Sequence, residues 1–188
     1  TYSGKTYKLD KPFFILATQN PIEQSGTFPL PEAQQDRFLL YIKIGYPSEQ
    51  EETSILKSTT SSVKKKVNPV ISGEEILRLQ ELVRELPISD DLIGYVSKIV
   101  RATRPETTTI DFVKEWVSWG AGPRAGQAMI LTAKARALSQ KRLAVTKEDI
   151  NVVAYPVLRH RVIVNFKAEA ARITSDHVTK DLLKNIAF

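Results

Sequence analysis

Three polar residues stand where apolar or helical segments change course, and their types suit phosphate chemistry. Asn20 follows the run Phe13 to Thr18, and Pro21 stiffens the backbone just beyond it. Ligands of open parallel sheets sit beyond the carboxyl ends of the strands, where a fixed amide can hold a water or a phosphoryl oxygen. Taken alone, Asn20 reads more simply as a loop cap bonded to its own backbone. Arg37 stands beside Asp36 near the end of the segment PEAQQDRF. A guanidinium is always charged, planar and rich in donors, which fits it for clamping phosphate. The plainer alternative is an Asp36–Arg37 surface pair, worth little. Arg124 follows Pro123 in GAGPRAGQAM, in the first turn of a long Ala-rich stretch. A cation at the positive end of a helix dipole is disfavoured by about 0.3–1 kcal/mol. An anion is therefore expected to approach it, unless the side chain snorkels back to water.

Other chemistries find no support. Gly4-Lys5-Thr6 is the tail of a P-loop consensus, but the first glycine of that motif would precede Thr1. The following YKLDKP is strand-like and then broken by Pro12, where a P-loop must enter a helix. The opening TYSGKTYKL is instead expected to form a β-hairpin. There is no cysteine, and the two histidines, His160 and His177, stand far apart, so no metal site is expected. The longest unbroken apolar run, Phe13 to Ala17, is far too short to span a bilayer. No basic-then-apolar leader is visible at Thr1, and a cytoplasmic location is expected. The net charge of +6 is uneven, because residues 61–188 carry +7 and residues 1–60 carry −1. It could signal a polyanion partner, but solvated Lys and Arg faces on a helical domain are the preferred reading.

The elements that must hold these residues follow from periodicity. FFILAT (Phe13 to Thr18) and Leu39 to Ile44 read as buried parallel strands. Pro31 opens a short helix, and Ser48 with Glu51 forms a capping box for another. A Ser/Thr/Lys linker over 60–71 separates this α/β part, residues 1–59, from an all-helical domain over 72–188. In the latter, Ser72 to Leu86, Ser89 to Arg104, Pro123 to Gln140, a helix capped by Thr146 with Asp149, and Asp176 to Ile186 are expected helices. The one later segment with strand character is Val162 to Asn165. A hairpin and two buried strands do not complete a doubly wound sheet, so the chain reads as the C-terminal piece of a larger protein.

The strings ATQNPIEQSGTFPLPEAQQDRF, WGAGPRA and PVLRHR resemble the C-terminal half of the MoxR-type AAA+ ATPases. The first string is long and specific. The resemblance implies an α/β remnant of a P-loop AAA+ core followed by an all-α lid. It matches Asn20 to the sensor-1 residue, Arg37 to an arginine finger acting in trans, and Arg124 to sensor 2 on the lid. It implies ATP and Mg²⁺ as cofactors, a homo-oligomeric, hexameric ring, and remodelling of partner proteins alongside a von Willebrand factor A domain protein. The run Arg159-His160-Arg161 fits the family but acquires no role from it. A magnesium-chelatase-like AAA+ subunit is the alternative, and the PLPEAQQDRF string favours the MoxR type over it. A basic nucleic-acid-binding module is disfavoured, because aromatics are few and not interleaved with basic stretches; a non-enzymatic adaptor is the remaining alternative. Neither a full P-loop nor an apolar run ending in Asp-Glu occurs in the sequence. The 188-residue chain alone is therefore expected to release no phosphate from Mg·ATP, and measurable release from pure material would overturn that expectation.

Overall fold

A computed structural model describes residues 3–19, 30–62 and 67–188. Its elements are α1 (Glu32–Gln35), α2 (Glu49–Thr59), α3 (Gly73–Glu85), α4 (Asp90–Ala102), α5 (Asp111–Trp116), β1 (Val117–Trp119), α6 (Pro123–Ser139), α7 (Lys147–Leu158), β2 (Ile163–Val164), α8 (Phe166–Ala170) and α9 (Ser175–Asn185). They belong to two compact units, one of Thr1–Phe14 with Ile42–Leu79, the other of Ile15–Tyr41 with Gln80–Phe188.

In the smaller unit, Ser3 and Gly4 both adopt positive φ (48° and 78°), the backbone that a two-residue hairpin turn requires. Lys5 makes an isolated bridge and no longer ladder follows among the described residues. Ser48 and Glu51 cap α2 reciprocally, as their spacing predicts. The linker lysines Lys64 to Lys66 lie outside the described residues.

The larger unit owes its core to α4, α6, α7 and α9. Tyr95, Val96, Ile99 and Val100 form the inner face of α4, while Ile93 is exposed. Helix α6 turns Ala125, Ala128, Ala133 and Ala137 inward around Met129. Such small side chains let neighbouring helices approach closely, and α4 and α7 flank it. Ahead of α6, Thr103 is fully buried: its hydroxyl donates to the Val100 carbonyl (2.6 Å) and accepts from the Ala121 amide (2.8 Å). A Cβ on Gly120 would stand 2.5 Å from the Thr103 carbonyl oxygen, so only glycine lets this loop lie against α4. These contacts fix the loop that delivers Arg124.

The helical domain is not wholly helical. β1 and β2 pair antiparallel, Val117 with Val164 and Trp119 with Ile163. The strand character of 162–165 is thus realised, but its partner, embedded in VKEWVSWG, had no turn-bounded alternation to announce it. The larger departure concerns Phe13 to Thr18 and Leu39 to Ile44, which form neither helix nor strand. Phe14, Leu16 and Ile44 are strongly exposed. A strand buried on both faces needs ladder partners at its edges, and among the described residues none lies beside either segment. No helix among the described residues is long and apolar enough to cross a membrane.

The most strongly held charge in this core is Asp149, only 1% exposed. It receives Arg142 through both oxygens (2.6 and 2.7 Å) and caps α7 through the Thr146 amide and hydroxyl (both 2.9 Å). The Arg142 hydrogen bonds, chiefly, hold its pKa down to about 2. Because the folded value lies below an unfolded value of about 3.9, the stabilisation is present above pH ~4 and is lost as pH falls toward 2. Acid titration of thermal stability should show this loss, worth about 2 kcal/mol. Asp149→Asn should remove that pH-dependent part and lower stability at neutral pH by about 3 kcal/mol.

Candidate functional site

Around Asp36, two of the sequence's candidate segments meet in the larger unit. Helix α1 is a single turn begun by Pro31, and Asp36 is its C-terminal cap, with its amide bonded to the Glu32 carbonyl. The Asp36 carboxylate is shared. Its Oδ2 takes Nη1 of Arg124 at 3.2 Å, and its Oδ1 takes Nε of Arg161 at 3.0 Å. The anion expected at the start of α6 is therefore a side chain of this same unit. It comes from outside the helix, whose own first turn carries no acid. The alternative of an Asp36–Arg37 pair does not hold: Arg37 is exposed, and its side chain makes no ion pair among the described residues.

Beyond Asp36 the chain runs to Tyr41 without a ladder, yet the carbonyls of Asp36, Phe38, Leu39 and Tyr41 are paired. Arg161 donates to the Asp36 carbonyl (2.9 Å), the Phe38 carbonyl (2.6 Å) and the Leu39 carbonyl (3.3 Å), and to Val157 on α7 (2.7 Å). His160 places Nε2 3.1 Å from the Phe38 carbonyl and stacks on the Tyr41 ring, centroids 6.2 Å apart. Arg159 donates to the Tyr41 carbonyl (2.9 Å) while its Nε holds Asp176 (2.8 Å). The Tyr41 amide donates to the Pro156 carbonyl (2.8 Å). The run Arg159-His160-Arg161, to which sequence reasoning gave no role, thus supplies the donors that a neighbouring strand would otherwise supply.

Burial sets the electrostatics. The Arg161 side chain is 3% exposed, Asp36 29% and Arg124 57%. Burial lowers the Arg161 pKa, Asp36 opposes that shift, and the nearby Arg124 charge adds to it. His160 is held neutral over more of the pH range, because burial and the Arg161 charge both lower its pKa. Its Nε2 then donates to Phe38, and Nδ1 is buried without a hydrogen-bond partner among the described residues. The signal available in the sequence was an Arg set among Val157, Leu158, Val162 and Ile163. A charge inside such an apolar stretch must be paired. Asn20 lies outside the described residues.

What this arrangement offers chemically is a half-exposed guanidinium at a helix start, tied by one carboxylate to a turn that ends in a second, exposed guanidinium. Two family models match the chain. The ATPase family associated with various cellular activities (AAA) matches residues 1–40, and the AAA lid domain matches residues 112–182. Asp36 and Arg37 fall in the first stretch, Arg124 and Arg161 in the second. An AAA-family stretch thus precedes a lid-domain stretch in this chain.

Chaperone MoxR1 of Mycobacterium tuberculosis is 40% identical over 98% of this chain and 49% of its own length. The uncharacterised YeaC of Bacillus subtilis is 35% identical over 99% of this chain and 56% of its own. A solved structure from Cytophaga hutchinsonii, described as a candidate ATPase, superposes with a TM-score of 0.91 at 35% identity. It covers 100% of this chain and 57% of that one. The chain belongs to the MoxR family of AAA+ ATPases, and it spans about half the length of the curated relatives it matches.

Arg161 carries the strongest structural load at this site. Arg161→Ala leaves Asp36 and three carbonyls of 36–39 without their buried donor, a loss of about 3–5 kcal/mol. Hydrogen exchange should accelerate first at Phe38 to Tyr41, and Arg161→Lys should rescue little, because an ammonium cannot span the same acceptors. Uniform acceleration across α4, α6 and α7 with 38–41 unchanged would contradict this assignment.

Proposed function

We propose that the full-length protein is a MoxR-type ATPase that hydrolyses ATP at the interfaces of a homo-oligomeric ring and uses the cycle for chaperone-like remodelling of partner proteins. The observation that carries this reading is the tie from Arg124 through Asp36 to the turn that ends in Arg37. It links a lid cation to an exposed cation, as a lid sensor and a trans-acting finger require. In this reading Asn20 orients the attacking water or the γ-phosphate. Arg37 enters the neighbouring subunit's site and neutralises charge on the transferred phosphoryl group, and Arg124 contacts the nucleotide phosphate. ATP and Mg²⁺ fit a set of residues made of two guanidiniums and an amide only as phosphate partners. The phosphate cradle and magnesium ligands would come from Walker motifs that this sequence does not contain. When bound, Mg²⁺ would neutralise phosphate charge.

The remodelling role is supported by a relative bearing the name chaperone. A von Willebrand factor A domain protein is the partner class we propose, and a hexamer the ring size.

In the full-length protein, Arg37→Ala should lower turnover by about 10³–10⁵-fold while largely keeping nucleotide affinity. Steady-state phosphate release and analogue binding measure the two separately. Equal loss of both would sink the finger assignment. Titrating Arg37→Ala subunits into wild-type rings should depress activity more steeply than simple dilution; a linear fall would place the arginine in its own subunit's site.

A further inference from the structure

Two cations of unequal burial share one carboxylate. Arg161 cannot leave Asp36 without also abandoning four backbone carbonyls. Among the described residues Arg124 is held by a single 3.2 Å contact, and it keeps 57% of its side chain in solvent. The group carries two guanidinium charges against one carboxylate, so it is short of negative charge, and Arg124 is the member free to accept more.

We propose that Asp36 is the resident competitor for Arg124. It holds that guanidinium while no phosphate is bound, releases it to the nucleotide's terminal phosphate, and then remains tied to Arg161 alone. The proposal rests on the nucleotide-contacting role given to Arg124 above. Asp36 immediately precedes Arg37, so the exchange removes one of the two ion pairs on the carboxylate next to the finger. Nucleotide occupancy at the lid is thereby passed to Arg37 through one peptide unit. Asp36 is a positioning residue, since it acts through the two arginines.

The test uses the full-length protein and a fluorescent, non-hydrolysable ATP analogue. Asp36→Asn keeps an acceptor oxygen for Arg161 but removes the charge that competes for Arg124. A half-exposed pair of this kind is worth little, so affinity should tighten roughly two- to fivefold. The tightening should vanish in an Arg124→Ala background. Unchanged or weaker binding in Asp36→Asn, with Arg124→Ala still weakening binding, overturns the proposal and leaves the role of Arg124 standing. Wild-type affinity and turnover in Arg124→Ala overturn that role and the proposal together. If Asp36→Asn does not fold, a crystal structure of the wild-type protein with the analogue decides. Arg124 moved off Asp36 and onto phosphate supports the proposal, and a retained 3.2 Å pair overturns it.

Discussion

A buried guanidinium must be fully paired or it unfolds what surrounds it, and Arg161 turns that constraint into architecture. Its five donors are spread over the Asp36 carboxylate and the carbonyls of Asp36, Phe38, Leu39 and Val157. Segment 36–41 has no strand beside it among the described residues, so its carbonyls have no ladder donors there. Three consecutive side chains, Arg159, His160 and Arg161, take over the work of a ladder. They sit just past the end of α7, where the chain has left the helix and can aim successive residues at one target. Pro156 contributes as well, through the carbonyl that accepts the Tyr41 amide.

The helical part was legible because its signals are local. Capping boxes at Ser48 and Thr146, Pro123 at the first position of α6, and apolar stripes on α4 and α9 each specify a helix from within one segment. The apolar stripe of α3 turns Ile76, Leu77 and Val83 partly inward and leaves Leu79 and Leu82 exposed. The strands were not legible in this way, because pairing is non-local. Phe13 to Thr18 and Leu39 to Ile44 have strand composition, but composition provides no hydrogen-bond partner. Conversely, β1 forms from a segment of ordinary composition because β2 lies in reach.

The site shows the same division. The types of Arg37 and Arg124 marked them from sequence, as did the misfit of a cation at a helix start. The identity of the compensating anion did not, since Asp36 lies 88 residues away from Arg124 in the chain. Arg161 could have been suspected from its apolar neighbours alone. Its target could not, because the acceptors are backbone carbonyls, which carry no residue-specific signature.

The unequal exposure of the two arginines on Asp36 makes the cluster respond unevenly to ionic strength. Mobile ions reach the Arg124–Asp36 contact and weaken it by screening, with a Debye length of about 8 Å at physiological salt. They screen the Arg161–Asp36 contact less, because the Arg161 side chain is only 3% exposed. Rising salt therefore loosens the lid arm of the shared carboxylate while the arm that anchors the turn stays closed. One residue thus carries both a permanent fastening and an adjustable one.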